Sequence, residues 1–183
     1  LFAAQGKLSE LGRWYLGGLQ AVMRECSLIG SSHPNAYRRR ARYSYAPTEA
    51  NWGYDNRTVA LRVIEGMDAE DDAPVRVEER HAAADANPYL LAAVGLFAGL
   101  RGIRERIEPT RATVGDAYAE AGARRRLPVS IAEAVAEARG SAFLRECLGA
   151  EMLELVITNA EREAEIVAGE VPPSETRRYL FAM

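Results

Sequence analysis

Apolar residues recur at three- and four-residue steps through Leu11, Tyr15, Leu19, Val22 and Met23, the spacing of one helix face. Ser9 stands where an N-cap is wanted, so a first helix is expected from there to about Cys26. The pattern is lost between Gly30 and about Tyr54, where Ser31, Ser32, Pro34, Asn35, Pro47 and Gly53 supply turn chemistry. That stretch reads as a long structured loop, and such loops are more often functional than idle. Over residues 57–64 the period drops to two, with Val59, Leu61 and Val63 alternating with Thr58, Ala60 and Arg62, which predicts a strand. A second strand is expected over 75–80, after an acidic turn at 68–72, the two forming a hairpin.

Beyond the strands the helical period returns. Asn87 followed by Pro88 is a capping residue ahead of a proline at the first helical position, and the helix is expected to reach about Ile107. Residues 90–100 are apolar all round, so this helix is expected to be buried on most sides. Ser130 with Glu133 is a capping-box pattern opening a helix to Arg139. Ser141 caps the next, which ends near Gly149. Residues 151–168 continue as an amphipathic helix with Met152, Leu155, Val156 and Ile166 inward, and Ser174 starts a last turn ending in Tyr179 and Leu180.

Length and composition narrow the class. A chain of 183 residues suits one domain, and 48% hydrophobic with 27% charged residues is the composition of a folded globular protein. A formal net charge of −3 provides no overall field for nucleic acid or an anionic membrane. Cys26 and Cys147 match no metal or redox spacing, which suits a reducing compartment, the cytoplasm by default. The longest apolar run, 89–100, is too short for the roughly 20 residues of a membrane span. The chain opens on Leu1, and Lys7 and Glu10 break any signal-peptide core, so the sequence reads as a piece of something longer.

The chemistry concentrates in arginines and one carboxylate. In Arg76-Val77-Glu78-Glu79-Arg80 the two-residue period of a strand puts Arg76, Glu78 and Arg80 on one face. This is either an exposed charge ladder or a metal-binding carboxylate beside arginines that hold an anionic substrate, a pattern suited to phosphoryl transfer. One Glu cannot make a Mg²⁺ site by itself. Arg57 and Arg62 are five apart, so a regular strand sends them to opposite faces. For both to serve one site, Arg57 must precede the strand on the Tyr54-Asp55-Asn56 turn, or a bulge must re-aim one of them. The basic run from Arg38 to Arg42, flanked by Tyr37 and Tyr43, raises nucleic-acid binding. The overall acidity and the lack of a recognition module favour a small anionic ligand or a subunit contact instead. His33 and His81 make no paired metal spacing and read as polar loop or strand-end residues. Nucleophile-elbow, phosphate-loop and dinucleotide-binding glycine patterns are absent.

Several segments occur in an order that carries a resemblance: Asn35-Ala36-Tyr37-Arg38-Arg39, Ala46-Pro47-Thr48, Trp52-Gly53-Tyr54-Asp55-Asn56-Arg57-Thr58-Val59-Ala60-Leu61-Arg62, Arg76-Val77-Glu78-Glu79-Arg80 and Asp85-Ala86-Asn87-Pro88-Tyr89-Leu90. Together they resemble the C-terminal part of the catalytic domain of the glutamine synthetase family, over nearly the whole chain. In wording they are nearer to the γ-glutamylpolyamine synthetase branch than to the ammonia-using enzymes. The resemblance implies an α+β fold, antiparallel strands followed by a mostly helical C-terminal half. Residues 1–183 would be the C-terminal portion of that domain, without the N-terminal β-grasp domain and the first part of the catalytic domain.

The activity implied is that of an ATP-dependent carboxylate–amine ligase of nitrogen metabolism, forming a γ-glutamyl amide from glutamate and ammonia or an organic amine such as a polyamine through γ-glutamyl phosphate. Divalent metal, Mg²⁺ or Mn²⁺, bridges the phosphates, and the site forms between neighbouring subunits of a homo-oligomeric ring. By the same resemblance Arg39 and Arg80 would hold the glutamate carboxylate or γ-glutamyl phosphate. Arg57 and Arg62 would contact ATP phosphates, Arg57 as the catalytic group, and Glu78 would be a metal ligand. One departure bears on the acceptor: Tyr45 stands where ammonia-using members carry a glutamate just before Ala-Pro, and a phenol, with a reference pKa of roughly 10, is a poor base near neutral pH. Neither a nucleic acid nor a membrane is among the implied partners. The alternative reading is a truncated, non-catalytic homologue acting as an interaction or regulatory subunit, and on either reading this chain alone is expected to be inactive.

Overall fold

In the computed structural model the described residues are 3–4, 7–41, 43–65, 75–119 and 126–180; the expected acidic turn at 68–72 lies outside them. A short antiparallel pair, β1 (Ala3–Ala4) with β2 (Lys7–Leu8), leads into α1 (Glu10–Val22). The Ser9 hydroxyl caps α1 by accepting from the Gly12 amide at 3.1 Å. The helix stops at Val22, one turn short of the expected Cys26, because the Met23 amide turns back to the Gln20 carbonyl, three residues earlier. The chain then resumes as α2 (Ser27–Gly30) and α3 (Pro34–Arg38). The stretch expected as unbroken loop therefore contains two short helices and strand β3 (Trp52–Tyr54).

Strands β3, β4 (Leu61–Ile64) and β5 (Arg76–Glu79) form one sheet in that order. β4 and β5 pair antiparallel, as expected, with Arg62 opposite Glu78, but β3 and β4 run parallel. The sheet is mixed rather than antiparallel because the turn at 55–60 carries the chain back alongside β3 in the same direction. Among the residues expected as strand, 57–60 form that turn.

The second half is helical: α4 (Pro88–Glu105), α5 (Ile131–Gly140), α6 (Ala142–Leu148), α7 (Ala150–Gly169) and α8 (Pro173–Tyr179). Asn87 caps α4 through its Oδ1, which accepts from Tyr89 and Leu90. Ser130 caps α5, with Glu133 reaching back to the Val129 amide, and Ser141 caps α6. Arg24, just past α1, bonds both Glu133 and Glu137 and so ties the first helix to α5.

Helices α1 and α4 pack through glycine. A Cβ on Gly18 would run into the Ala98 carbonyl, and one on Gly102 into the Trp14 carbonyl, so the two backbones approach more closely than any side chain permits. This corrects the all-round burial expected of α4. Only a narrow stripe, Val94, Ala98, Gly99 and Gly102, is buried, while Tyr89, Leu96 and Leu100 are exposed. In α7 the inward residues are Leu153, Ile157 and Ala160; of the four expected, Met152, Leu155 and Ile166 are exposed. Both stripes have helical spacing, and a step of one residue, 100° around the axis, separates them. Packing against α5, whose buried face is Ile131, Ala134, Val135 and Ala138, decides which of the two turns inward.

Candidate functional site

The arginines expected to act together converge where the sheet meets the turn after β3. Arg57 sits on that turn, ahead of β4, which removes the conflict of a five-residue spacing. Asn56 builds the turn: its Oδ1 accepts from the Thr58 amide at 2.9 Å and the Thr58 hydroxyl at 2.7 Å, and its amide nitrogen donates to the Gly115 carbonyl. Asp55 adopts a left-handed backbone with φ 44, a conformation that aspartate tolerates better than most residues.

Glu78 lies between two cations, but one differs from expectation. Arg80 Nη1 donates to both Glu78 oxygens at 3.2 Å, and Arg62 Nη1 donates to Glu78 Oε2 at 3.4 Å. Arg62, directly across the ladder, takes the place expected of Arg76, which is exposed. Arg62 also pairs with Asp55 at 2.9 Å. Arg80 Nη2 donates to the carbonyls of Tyr45 and Arg57 at 3.2 and 3.0 Å, so one guanidinium joins the 43–47 loop, the Arg57 turn and the strand carboxylate. Arg39, at the end of α3, donates to the consecutive carbonyls of Arg80, His81 and Ala82. Burial, and then the nearby Arg80, lower its pKa. Arg57 is exposed and borders an open cavity of about 620 Å³ with Tyr45, Tyr54, Asp55 and Thr58.

The loop above this cluster is backbone-strained. Tyr43 and Tyr45 both have positive φ, 66 and 59, costly for aromatic residues, and their side chains are 70% and 65% exposed. Local bonds hold it: the single Ser44 hydroxyl proton is shared between the carbonyls of Arg39 and Ala41, and the Tyr118 hydroxyl donates to the Ala46 carbonyl at 2.7 Å.

Toward a metal ion the residues present fit only in part. Glu78 offers one half-open carboxylate, 41% exposed, and among the described residues no three His, Cys, Asp or Glu side chains gather to hold a cation.

Residues 1–179 match the family described as glutamine synthetase, catalytic domain. The chain belongs to the glutamine synthetase family. Among curated members, a glutamate–isopropylamine ligase from a Pseudomonas species is 38% identical over 150 residues, 81% of this chain and 32% of the relative. A γ-glutamylethanolamide synthetase from Streptomyces coelicolor is 34% identical over 99% of this chain and 38% of the relative, and a glutamine synthetase from Methanosarcina mazei is 32% identical over 95% and 39%. The solved structure of GmaS without ligand superposes with a TM-score of 0.81 at 26% identity, covering 100% of this chain and 41% of that one. The chain thus spans about two fifths or less of the length of these relatives, and the α+β fold is that of the family.

Sequence reasoning did not assign Asp55, Tyr118, Arg40 or His81 to this region. Asp55 carried a signal, standing beside Asn56 in a turn before an arginine. His81, read as a polar strand-end residue, is 1% exposed, and Arg40, part of an apparent basic run, is buried. Neither signal was legible, because burial of a polar residue is decided by segments distant in the chain. The run itself does not form one basic surface: Arg38 is exposed, Arg39 and Arg40 turn inward, Tyr37 is buried with its hydroxyl on the Ser31 carbonyl, and Arg42 lies outside the described residues. Among the described residues no helix is long and apolar enough to cross a membrane.

Proposed function

We propose that this chain supplies the arginine-rich part of the site of an ATP-dependent ligase that joins glutamate to an amine. The observation that carries the reading is Glu78 held between Arg62 and Arg80 across the β4–β5 ladder, with the exposed Arg57, whose carbonyl accepts from Arg80, on an open cavity. In such a reaction the γ-phosphoryl group of ATP passes to the glutamate γ-carboxylate, releasing ADP. The amine then displaces phosphate from the acyl carbon and loses a proton. Arg57 and Arg62 would bind the ATP phosphates, Arg57 also stabilising charge on the transferring group. Arg39 and Arg80 would hold the glutamate carboxylate or the acyl phosphate as guanidinium donors. Glu78 would be one ligand to Mg²⁺ or Mn²⁺, whose bound form neutralises phosphate charge. The other ligands, and a homo-oligomeric ring that completes each site from a neighbour, belong to the same reading.

The acceptor proposed is an organic amine rather than ammonia. Tyr45 faces the cavity where ammonia-using members carry a carboxylate, and an alkylamine brings binding energy through its carbon chain that ammonia lacks. The test grafts this segment in place of the corresponding part of the isopropylamine ligase and measures glutamate- and amine-dependent ADP release with isopropylamine, a polyamine and ammonium. Turnover is expected, with kcat/KM larger for at least one organic amine, and Tyr45→Glu should shift the ratio toward ammonia. Arg57→Ala in that chimera should lower kcat by about 10²–10³. A folded chimera without turnover would favour the non-catalytic alternative; a preference for ammonium would remove the organic-amine acceptor alone.

A further inference from the structure

Arg40 is charged, 7% exposed, and surrounded by neutral acceptors. Its Nη1 donates to the Pro128 carbonyl at 2.8 Å, and its Nη2 to Ser31 Oγ at 2.9 Å and the His81 carbonyl at 3.4 Å. The Tyr37 ring lies 5.0 Å from the guanidinium carbon. Its Nε is buried without a hydrogen-bond partner. Three of the five guanidinium donors are therefore used and two remain. Among the described residues no carboxylate pairs with it, whereas Arg62 and Arg80 share Glu78. A buried cation with no counter-ion is expensive, and burial holds the Arg40 pKa down at about 10. The three bonds explain how Arg40 staples three segments; they do not explain a full charge placed there, since a neutral donor could make them.

Arg40 also borders a cavity of about 390 Å³, lined besides by Thr48, Glu49, Tyr118 and Arg126 and sharing no lining residue with the cavity at Arg57. We propose that this cavity is a second anion site, taking one small oxyanion, a phosphate or a carboxylate, on the Arg40 guanidinium with Arg126 as the second cation and the Thr48 and Tyr118 hydroxyls beside them. Guanidinium groups bind both oxyanions through charge-assisted N–H donors. Among the described lining residues two cations, Arg40 and Arg126, stand with one carboxylate, Glu49. Because Tyr118 also holds the Ala46 carbonyl and packs its ring 5.6 Å from Tyr43, an occupied site would brace the strained 43–46 loop from behind.

The test titrates the 183-residue chain with inorganic phosphate and, separately, with succinate, following amide shifts by ¹H–¹⁵N NMR and affinity by calorimetry. Saturable shifts at Thr48, Ala117 and Leu127, with either probe, are expected, and the probe that gives them identifies the ligand type. Arg40→Gln should weaken binding by about 10-fold or more. Arg126→Gln, at an exposed position, should weaken it by several-fold and decides the matter if Arg40→Gln does not fold. Arg57→Gln should leave the saturable shifts at Thr48, Ala117 and Leu127 unchanged. Absence of saturable binding of both probes, shifts confined to residues 54–58, or affinity indifferent to Arg126→Gln would overturn the proposal.

Discussion

Helices α1 and α4 meet through glycines, each backbone seated against the other. The Glu78 cluster is built the opposite way, from guanidinium groups on strand and turn positions bonded to carbonyls and carboxylates, under a loop with two left-handed tyrosines. The helix pair is held by shape, which tolerates no added atoms. The cluster is held by polar bonds at a partly solvated surface, where each pair contributes little to stability. Stability and function are therefore separable here, and substitutions should sort accordingly.

The largest effect belongs to the helix pair. Gly102→Ala places a methyl group against the Trp14 carbonyl and the Gly18 backbone, atoms that move only if the helices separate. We expect a loss of about 3 kcal/mol or more, at the upper end of overpacking costs, read as a fall in the urea midpoint. A variant as stable as the parent would mean that the helices are not in contact through these glycines.

Next is the pair of buried His81 and partly buried Glu79, with Glu79 Oε1 3.2 Å from His81 Nδ1. Burial raises the Glu79 carboxyl to about 7 and lowers His81 to about 3. The unfolded glutamate ionises near 4.5, so between about 4.5 and 7 the folded chain holds more protons at this position, and stability falls as pH rises. The unfolded imidazole takes a proton below about 6.5 that the folded ring refuses, so that contribution falls as pH drops from 6.5 toward 3. The two slopes oppose one another between 4.5 and 6.5. Glu79→Gln removes only the first. Its stability relative to wild type should therefore be more favourable at pH 8 than at pH 4 by about 2–3 kcal/mol. Parallel pH profiles for the two proteins would exclude an ionisation cost at Glu79.

These two predictions mark where the sequence was informative. The caps at Ser9, Asn87, Ser130 and Ser141 were legible because capping depends on residues within one turn of one another. Glu78 with Arg80 was legible because strand period fixes faces locally. The orientation of α7, the open face of α4, the parallel pairing of β3 and the burial of Arg40 and His81 were not, because each depends on which distant segment arrives to cover it. The glycines of α1 and α4 were visible as letters, but nothing local says that they face one another.

A cap has a smaller effect than a packing contact. Asn87→Ala deletes the acceptor of the Tyr89 and Leu90 amides while Pro88 still begins the helix without an N–H to satisfy. The expected loss is about 1 kcal/mol, measurable by chemical denaturation, with Asn87→Asp close to neutral. Equal losses for Ala and Asp would show that the side chain is not capping.

The smallest effect on stability is expected at the residue to which the proposed chemistry assigns most. Arg57 contributes to the fold through its backbone, since its carbonyl accepts from Arg80 Nη2 at 3.0 Å and the turn around it is built by Asn56 and Thr58. Alanine keeps that carbonyl. The Arg57 side chain is exposed beside an open cavity, so Arg57→Ala should change unfolding free energy by less than about 0.5 kcal/mol, the usual range for a surface substitution, while removing a positive charge from the surface proposed to face phosphate. Arg80→Ala, by contrast, strips donors from Glu78, Tyr45 and Arg57 together and should destabilise the chain measurably. Unfolding curves for the two variants, taken side by side, decide the point. If Arg57→Ala were the more destabilising of the two, its guanidinium would be a structural tie, and the division between a scaffold held by shape and a site held open for a ligand would fail at its central residue.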